Sequence, residues 1–320
     1  MILGRLAQGV ALVLFVSFLA YVIVYHMGNP ADVLASPNAT AEDMARVVHD
    51  FGLDQPFLTQ YFTFLKRVFS GDFGMSFIVG EPAMSVIAAR FPATLELAIS
   101  AVFIATIVGV PLGVLAGAYP EAPLSRLAIN LSILGISVPL FWMGLLLIMI
   151  FAVWLGVVPA GGRGAVGTFL GIRSSLFTLD GLHHIILPAS TLAISQTVLF
   201  FRLANAGTRE ALSSDYIKFA RTKGVGERRI LARHVLPNIL IPLVTVGGLE
   251  LGSVLVFAAV TETIFAWPGM GKLMIDSIGL LDRPVITAYL MLTVFIVIVV
   301  NLAVDLLNLW LDPRLRTRAR

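Results

Sequence analysis

Residues 210–238 read EALSSDYIKFARTKGVGERRILARHVLPN and stand between two long apolar runs. Most of the chain suits hydrocarbon, and this stretch suits water. A membrane protein that keeps a structured basic loop on one side has a segment to offer a partner. Ser214 is a good helix N-cap, and Asp215 in the first turn complements the helix dipole. The residues from Tyr216 to Lys223 are compatible with helix, and Gly224 fits the left-handed position after a helix C-terminus. The expectation is a helix of two to three turns, too short to be stable alone in water. It needs a surface, and Ile217, Phe219 and Ala220 are its apolar contribution. Tyr216 adds area and a hydrogen-bonding group. A second helix is expected over 227–236, with Ile230, Leu231 and Val235 on one side and Arg228, Arg229 and Arg233 on another. Pro237 should interrupt it, and its arginines are of the kind that meet lipid phosphates.

The composition agrees with a chain built for lipid. Of 320 residues, 58% are hydrophobic and 13% charged, where a soluble domain carries about 25% charged residues. Mean hydropathy is +0.92. The class is an all-α polytopic membrane protein. A net charge of +3 on such a chain reflects loop asymmetry rather than nucleic-acid binding. With no cysteine, disulfides and thiolate metal sites are excluded.

Six apolar stretches are long enough to cross a bilayer as helices. They cover approximately 6–27, 94–118, 127–155, 184–206, 239–265 and 285–310. The first is too long for a signal-peptide core and reads as an uncleaved anchor. An even span number puts both termini on one side. That side holds fourteen of the 22 Lys and Arg, so the termini and the loop 207–237 are expected in the cytoplasm of a prokaryotic cell, bounded by its plasma membrane or inner membrane. The expected organisation is an N-terminal span (1–27), an extracytoplasmic helical segment (28–92), a five-helix core (93–310) and a basic tail (311–320).

The segment 28–92 is too long for a bare connector. Thr40, with Asp43 three residues on, can start a helix that carries Met44, Val47, Val48 and Phe51 on one face and stops at Gly52. Pro56 suits the start of another, with Phe57, Tyr61, Phe62, Leu65, Val68 and Phe69 as an apolar stripe. These helices pack on the bundle, lie in the membrane interface or dock an extracytoplasmic partner. In the loop 266–284, Trp267 reads as an interfacial anchor, and Pro268 with Gly269 forces a turn. No phosphate-binding Walker spacing occurs anywhere, so any ATP that drives this chain is hydrolysed by another subunit.

Few ionisable residues fall in or near the spans: Glu96, Glu250, Glu262 and Asp305. Such residues are functional candidates. Glu96 and Glu262 sit near span ends, within reach of water, and Asp305 is expected to pair with a donor such as Arg314. Glu250 is deepest and is a candidate to line a pathway, with Thr245 and Ser253 nearby; a satisfied structural network is the other reading. Gly247-Gly248 allows either cavity lining or close helix packing. Pro111 and Pro139 should kink spans two and three. His183 and His184 have no third ligand for a metal.

Ala220, three residues, Gly224 and the later Leu236-Pro237 resemble the loop by which importer permeases of the ATP-binding cassette (ABC) class are recognised: Glu-Ala-Ala, three residues, Gly, then Leu-Pro. The first two positions are Lys218 and Phe219 here, a departure that concerns the Glu side chain and not the helix-turn geometry. Phe51-Gly-Leu-Asp-Gln-Pro56, Gly71-Asp-Phe-Gly74, Phe91-Pro-Ala-Thr-Leu-Glu-Leu97, Thr261-Glu-Thr-Ile-Phe-Ala-Trp-Pro-Gly269, and the ending Val304-Asp-Leu-Leu307 to Asp312-Pro-Arg314 are similar, in order, to permeases of the dipeptide, oligopeptide and nickel uptake family. The long segment after span one resembles the first of that family's two permease subunits. The resemblance implies a type I ABC importer permease fold, a non-hydrolysing subunit, and a heterodimer with a second permease. It further implies two cytoplasmic ATPases that carry ATP and Mg, and an extracytoplasmic solute-binding protein. This chain itself would hold no cofactor. The helix Asp215–Lys223 would then be a coupling helix seated in an ATPase groove. Peptide, nickel or another small solute stays open as substrate. A secondary transporter or channel working alone is the competing reading; it predicts intramembrane charge pairs or inverted repeats, and no clear repeat is visible.

Overall fold

The computed structural model describes residues 2–26, 49 and 54–311. The predicted helix around 40–52 and the basic tail lie outside the described residues, apart from His49. Among the described residues the regular structure is helical apart from one hairpin. Helix α1 covers Ile2–His26, α2 Phe57–Phe69, α3 Ala83–Ala118 and α4 Pro123–Ser137. Helix α5, Leu140–Leu147, continues as a π-helix over Ile148–Trp154. Strands β1 (Gly167–Phe169) and β2 (Ile172–Ser174) pair antiparallel, with Gly167 opposite Ser174. Helix α6 covers Leu179–Ser213, α7 Asp215–Thr222 and α8 Glu227–Ile230. A π-helical stretch, Leu231–Val235, leads into α9, Leu236–Ile264. Helices α10 (Met270–Gly279) and α11 (Arg283–Leu311) follow.

Among the described residues four helices are long and apolar enough to cross a membrane, over Ala83–Ala118, Leu179–Ser213, Glu227–Leu255 and Arg283–Leu307. Two shorter apolar helices, Ala11–Ile23 and Leu140–Trp154, fall on the first and third predicted spans. Span three departs from its expectation. Instead of one kinked helix over 127–155, the chain breaks at Val138 (φ −97°, ψ 129°) and Pro139 (φ −60°, ψ 139°). Proline cannot donate to the helix and drives the residue before it into extended backbone. Pro111, by contrast, lies inside the unbroken α3. The second loop helix also differs. Pro237 does not end it, because the preceding π-helical stretch carries the helix into α9. A π-turn bonds i→i+5, so a residue with no N–H fits there with less disruption.

The chain forms two compact units, Met1–Pro92 with Pro268–Ile298, and Ala93–Trp267 with Val299–Arg320. In the first, Ala83, Ile87, Met270, Val285, Ala288 and Tyr289 make a buried apolar cluster. Buried Asp282 accepts from Ser76 Oγ and from Phe77 N, which fixes the turn before α3.

In the second unit α4, α5 and α9 pack on α6, and α3 meets it at Gly109, Gly113 and Gly117. Close backbone approach sets this packing. A Cβ on Gly113 would lie 2.4 Å from the Phe201 carbonyl oxygen of α6; where α9 meets α11, one on Gly248 would lie 2.2 Å from the Val304 side chain. Without hydrophobic drive between helices in lipid, small residues that admit a neighbour supply dispersion contact instead. Gly248 therefore serves helix packing, one of the two uses open to it from the sequence.

Candidate functional site

Helix α7 is built by its ends. Ser214 has the extended backbone of an N-cap (φ −71°, ψ 151°) but does not cap through its side chain. Its hydroxyl donates back to the Ala211 carbonyl of α6 instead, which ties the two helices together. Asp215 pairs with Lys218 at 2.8 Å in the first turn. At the other end Gly224 has φ +77°. Gly224 N donates to Arg221 O at 2.9 Å, and Val225 N to Ala220 O at 3.1 Å. These are the two bonds of a Schellman stop, which satisfies carbonyls that the helix leaves open.

The two faces of α7 have different tasks. Ile217 and Ala220 are buried within this chain, as are Ile230 and Val235 from the following segment. Ile217 and Ala220 thus hold the helix down on its own chain. Tyr216 (46% exposed) and Phe219 (61%) face outward. Tyr216 Oη accepts from Asn238 Nδ2 at 2.9 Å, and Lys223 Nζ lies 4.5 Å from the centre of the Phe219 ring. Arg221 donates to both carboxylate oxygens of Glu227, at 2.7 and 3.2 Å, so the turn after α7 is clamped to α8. Donation to that carboxylate, with its charge, raises the Arg221 pKa above its ordinary value. The result is a rigid two-turn helix with an aromatic and cationic outer face.

A second constellation in this unit was not legible as one. Glu96 and Glu262, expected within reach of water, are buried. Arg163 donates to Glu96 at 2.6 and 3.1 Å, and Ser175 Oγ to the same carboxylate at 2.7 Å. Thr94 Oγ1 donates to Glu262 Oε1 at 2.6 Å. Trp267, read as an interfacial anchor, is fully buried, and its Nε1 donates to Ala93 O at 2.9 Å. An indole N–H in a dry site needs an acceptor, and a backbone carbonyl supplies one. The residue that reverses the chain here is Ala266, in the left-handed region at φ +48°. Arg163 was missed because it is one basic residue in a glycine-rich run, 67 positions from Glu96. Its only signal was a buried-sequence carboxylate that required a cation.

The remaining candidates separate. Glu250 is half-buried, and Ser253 Oγ lies 2.9 Å from both its carbonyl oxygen and its Oε2. The Thr245 hydroxyl donates to Ile241 O on its own helix, at 2.8 Å. Glu250 and Ser253 are thus one local group, and Thr245 is placed a turn and more away from them. In the first unit Gly269 is the residue before α10, with extended ψ, and Pro268 precedes it half-buried. Asp305 is half-buried on α11, and Arg314 lies outside the described residues. Among the described residues no group of three His, Cys, Asp or Glu could hold a metal ion.

Comparison with known proteins fits this architecture. The family described as binding-protein-dependent transport system inner membrane component matches residues 109–317, and its N-terminal companion matches residues 1–98. The chain is 39% identical over 310 residues to the "Probable D,D-dipeptide transport system permease protein" of Escherichia coli (strain K12), covering 92% of this chain and 91% of that one. It is 35% identical to an oligopeptide transport system permease protein of Bacillus subtilis (strain 168), covering 98% of each. It is also 35% identical to a dipeptide transport system permease protein of Escherichia coli (strain K12), again covering 98% of each. Two inward-facing crystal forms of the MetNI methionine ABC transporter share the fold, with TM-scores of 0.55 and 0.57 at 16% and 18% identity, over 72% of this chain and 97% of the other. The chain is a multi-pass membrane permease that belongs to the binding-protein-dependent transport system inner membrane component family.

Proposed function

We propose that this permease forms half of the translocation pathway of an ATP-driven importer of di- or oligopeptides. In this reading a second homologous permease forms the other half. Two cytoplasmic ATPases bind ATP and Mg, and an extracytoplasmic binding protein delivers the peptide. Both termini and the loop 207–237 are cytoplasmic. The observation that carries the reading is the shape of α7: tied to α6 through Ser214, stopped at Gly224, pinned by Ile217 and Ala220, and turned outward at Tyr216 and Phe219. A helix so held moves as a rigid body. When the ATPases close, their preference for one position of α7 would shift α6 and α9 together and switch access to the pathway. Glu250 with Ser253 is the pathway candidate, since a half-buried carboxylate within a span needs water or a polar solute beside it. The substrate class is supported by the dipeptide and oligopeptide relatives.

The test is Phe219→Asp. The variant should reach the membrane intact, lose its ATPases on purification, and lose ATP-dependent uptake of a labelled dipeptide. Wild-type uptake with retained ATPases would sink the coupling role of α7. Uptake of nickel in place of peptide would redirect the substrate, and uptake driven by an ion gradient after ATP depletion would replace the mechanism.

A further inference from the structure

The sequence reading gave the segment after Pro56 a single apolar stripe. The structure divides it in two. At about 100° per residue, Phe57, Tyr61, Phe64 and Val68 share one face of α2. Leu58, Phe62, Leu65 and Phe69 share the next. Thr59, Thr63, Lys66 and Arg67 fall opposite. The first face is covered by α1. The Tyr61 ring lies edge-on to Phe18 at 5.3 Å, and its hydroxyl is 3.0 Å from Ser17 Oγ. Phe64 stacks on Tyr21 at 5.2 Å, and Phe57 meets Tyr25 at 5.1 Å. On the second face Leu65 is half-buried, but Leu58 is 60% exposed, Phe62 62% and Phe69 71%.

Two observations say what covers it. One is depth. The α1 residues that α2 touches are Leu14 to Tyr25, within an apolar helix of 25 residues. At 1.5 Å per residue α1 is about 37 Å long, enough to cross a bilayer. A helix laid against its C-terminal half sits at the level of one leaflet. The other is charge. Helix α2 carries Lys66 and Arg67 in its last turn and no acidic residue. An apolar arc, a polar arc and an excess of cations are the features of a helix lying in the membrane interface. We propose that α2 is such a helix, with Leu58, Phe62 and Phe69 among acyl chains and with Lys66 and Arg67 on the headgroups of anionic phospholipids. It anchors the segment between α1 and α3 to the leaflet that meets the C-terminal half of α1. Only the placement of α1 in a bilayer is required, so the inference stands apart from the solute carried.

The chain has no cysteine, so one introduced thiol reports one position. Phe62→Cys, labelled with a fluorophore in the full-length chain and its accompanying subunits, is placed in nanodiscs of phosphatidylcholine and phosphatidylglycerol. Nitroxide lipids should quench the label, and iodide in water should not. Nitroxide phosphatidylglycerol should quench more than nitroxide phosphatidylcholine, by about fivefold for each cation engaged. Lys66→Gln with Arg67→Gln should remove that preference and leave quenching by both lipids. Quenching by iodide, protection from both quenchers by a protein neighbour, or equal quenching by the two lipids would each overturn the proposal.

Discussion

Helix α7 and the Glu96–Arg163–Ser175 cluster belong to the same unit and are held by opposite means. The cluster uses charge in a dry place. Glu96 is buried and Arg163 half-buried, the two joined by two hydrogen bonds, and buried Ser175 supplies another. Helix α7 uses backbone geometry at its ends and shows its charges to water: Asp215 and Lys218 are both exposed. A buried ion pair costs desolvation whether or not it is complete, so losing half of it is severe. An exposed pair is screened and contributes little. The lesson is that the cluster fixes where the glycine-rich segment and the hairpin sit, whereas α7 owes its place to Ile217, Ala220 and Gly224 and keeps its outer face available.

The largest effect should follow Glu96→Ala. It leaves the half-buried Arg163 guanidinium without its carboxylate and should cost up to about 3 kcal/mol, read as a lower unfolding temperature in detergent. Joint replacement with Arg163→Met should recover part of the loss. Unfolding at the wild-type temperature would mean that the pair is not buried in the folded protein. Next comes Gly161→Ala, whose Cβ would stand 2.4 Å from the Phe265 carbonyl oxygen, beside the bond from Gly162 N to that oxygen. Backbone must shift, and about 1–3 kcal/mol is expected in the same thermal assay.

At α7, Gly224→Ala places a Cβ in the left-handed region and should cost about 1–2 kcal/mol. Nothing lies within 4 Å of that Cβ, so the loss is local strain. It should show as reduced uptake with little change in global unfolding. An equal fall in unfolding temperature for Gly224→Ala and Glu96→Ala would erase the contrast between the two regions. The smallest effect belongs to Lys218→Ala. Removal of this exposed pair should change stability by less than about 1 kcal/mol. A larger change would show that the Asp215–Lys218 pair is shielded, by a partner or by lipid.

Much of α7 was open to reading from residue types alone. Gly224 as stop and the helix between Asp215 and Thr222 follow from local backbone preferences, and local rules are visible in order along a chain. Ser214 escaped because the alternative acceptor, Ala211 O, belongs to a different helix. The apolar spans were legible for a similar reason, since length and hydropathy decide them. The break at Pro139 was half-read, as a kink, because only the neighbours decide whether a proline bends a helix or ends it. Trp267 was misread because an aromatic residue at a span end has two homes, the interface and the packed interior.

Composition and local patterning alone were therefore enough to decide that this chain is a helical membrane protein with a short, bounded helix between two of its spans, because burial in lipid and helix termination depend on near neighbours in sequence; the permease reading rested on the resemblance of its ordered motifs. Contacts across long separations were left to the tertiary structure. It alone joined Glu96 to Arg163, buried Glu262 and Trp267, turned Ile217 inward and Phe219 outward, and exposed Leu58, Phe62 and Phe69 on α2. The reason is physical: which face of a helix is satisfied depends on what packs against it, and no spacing along the chain encodes that.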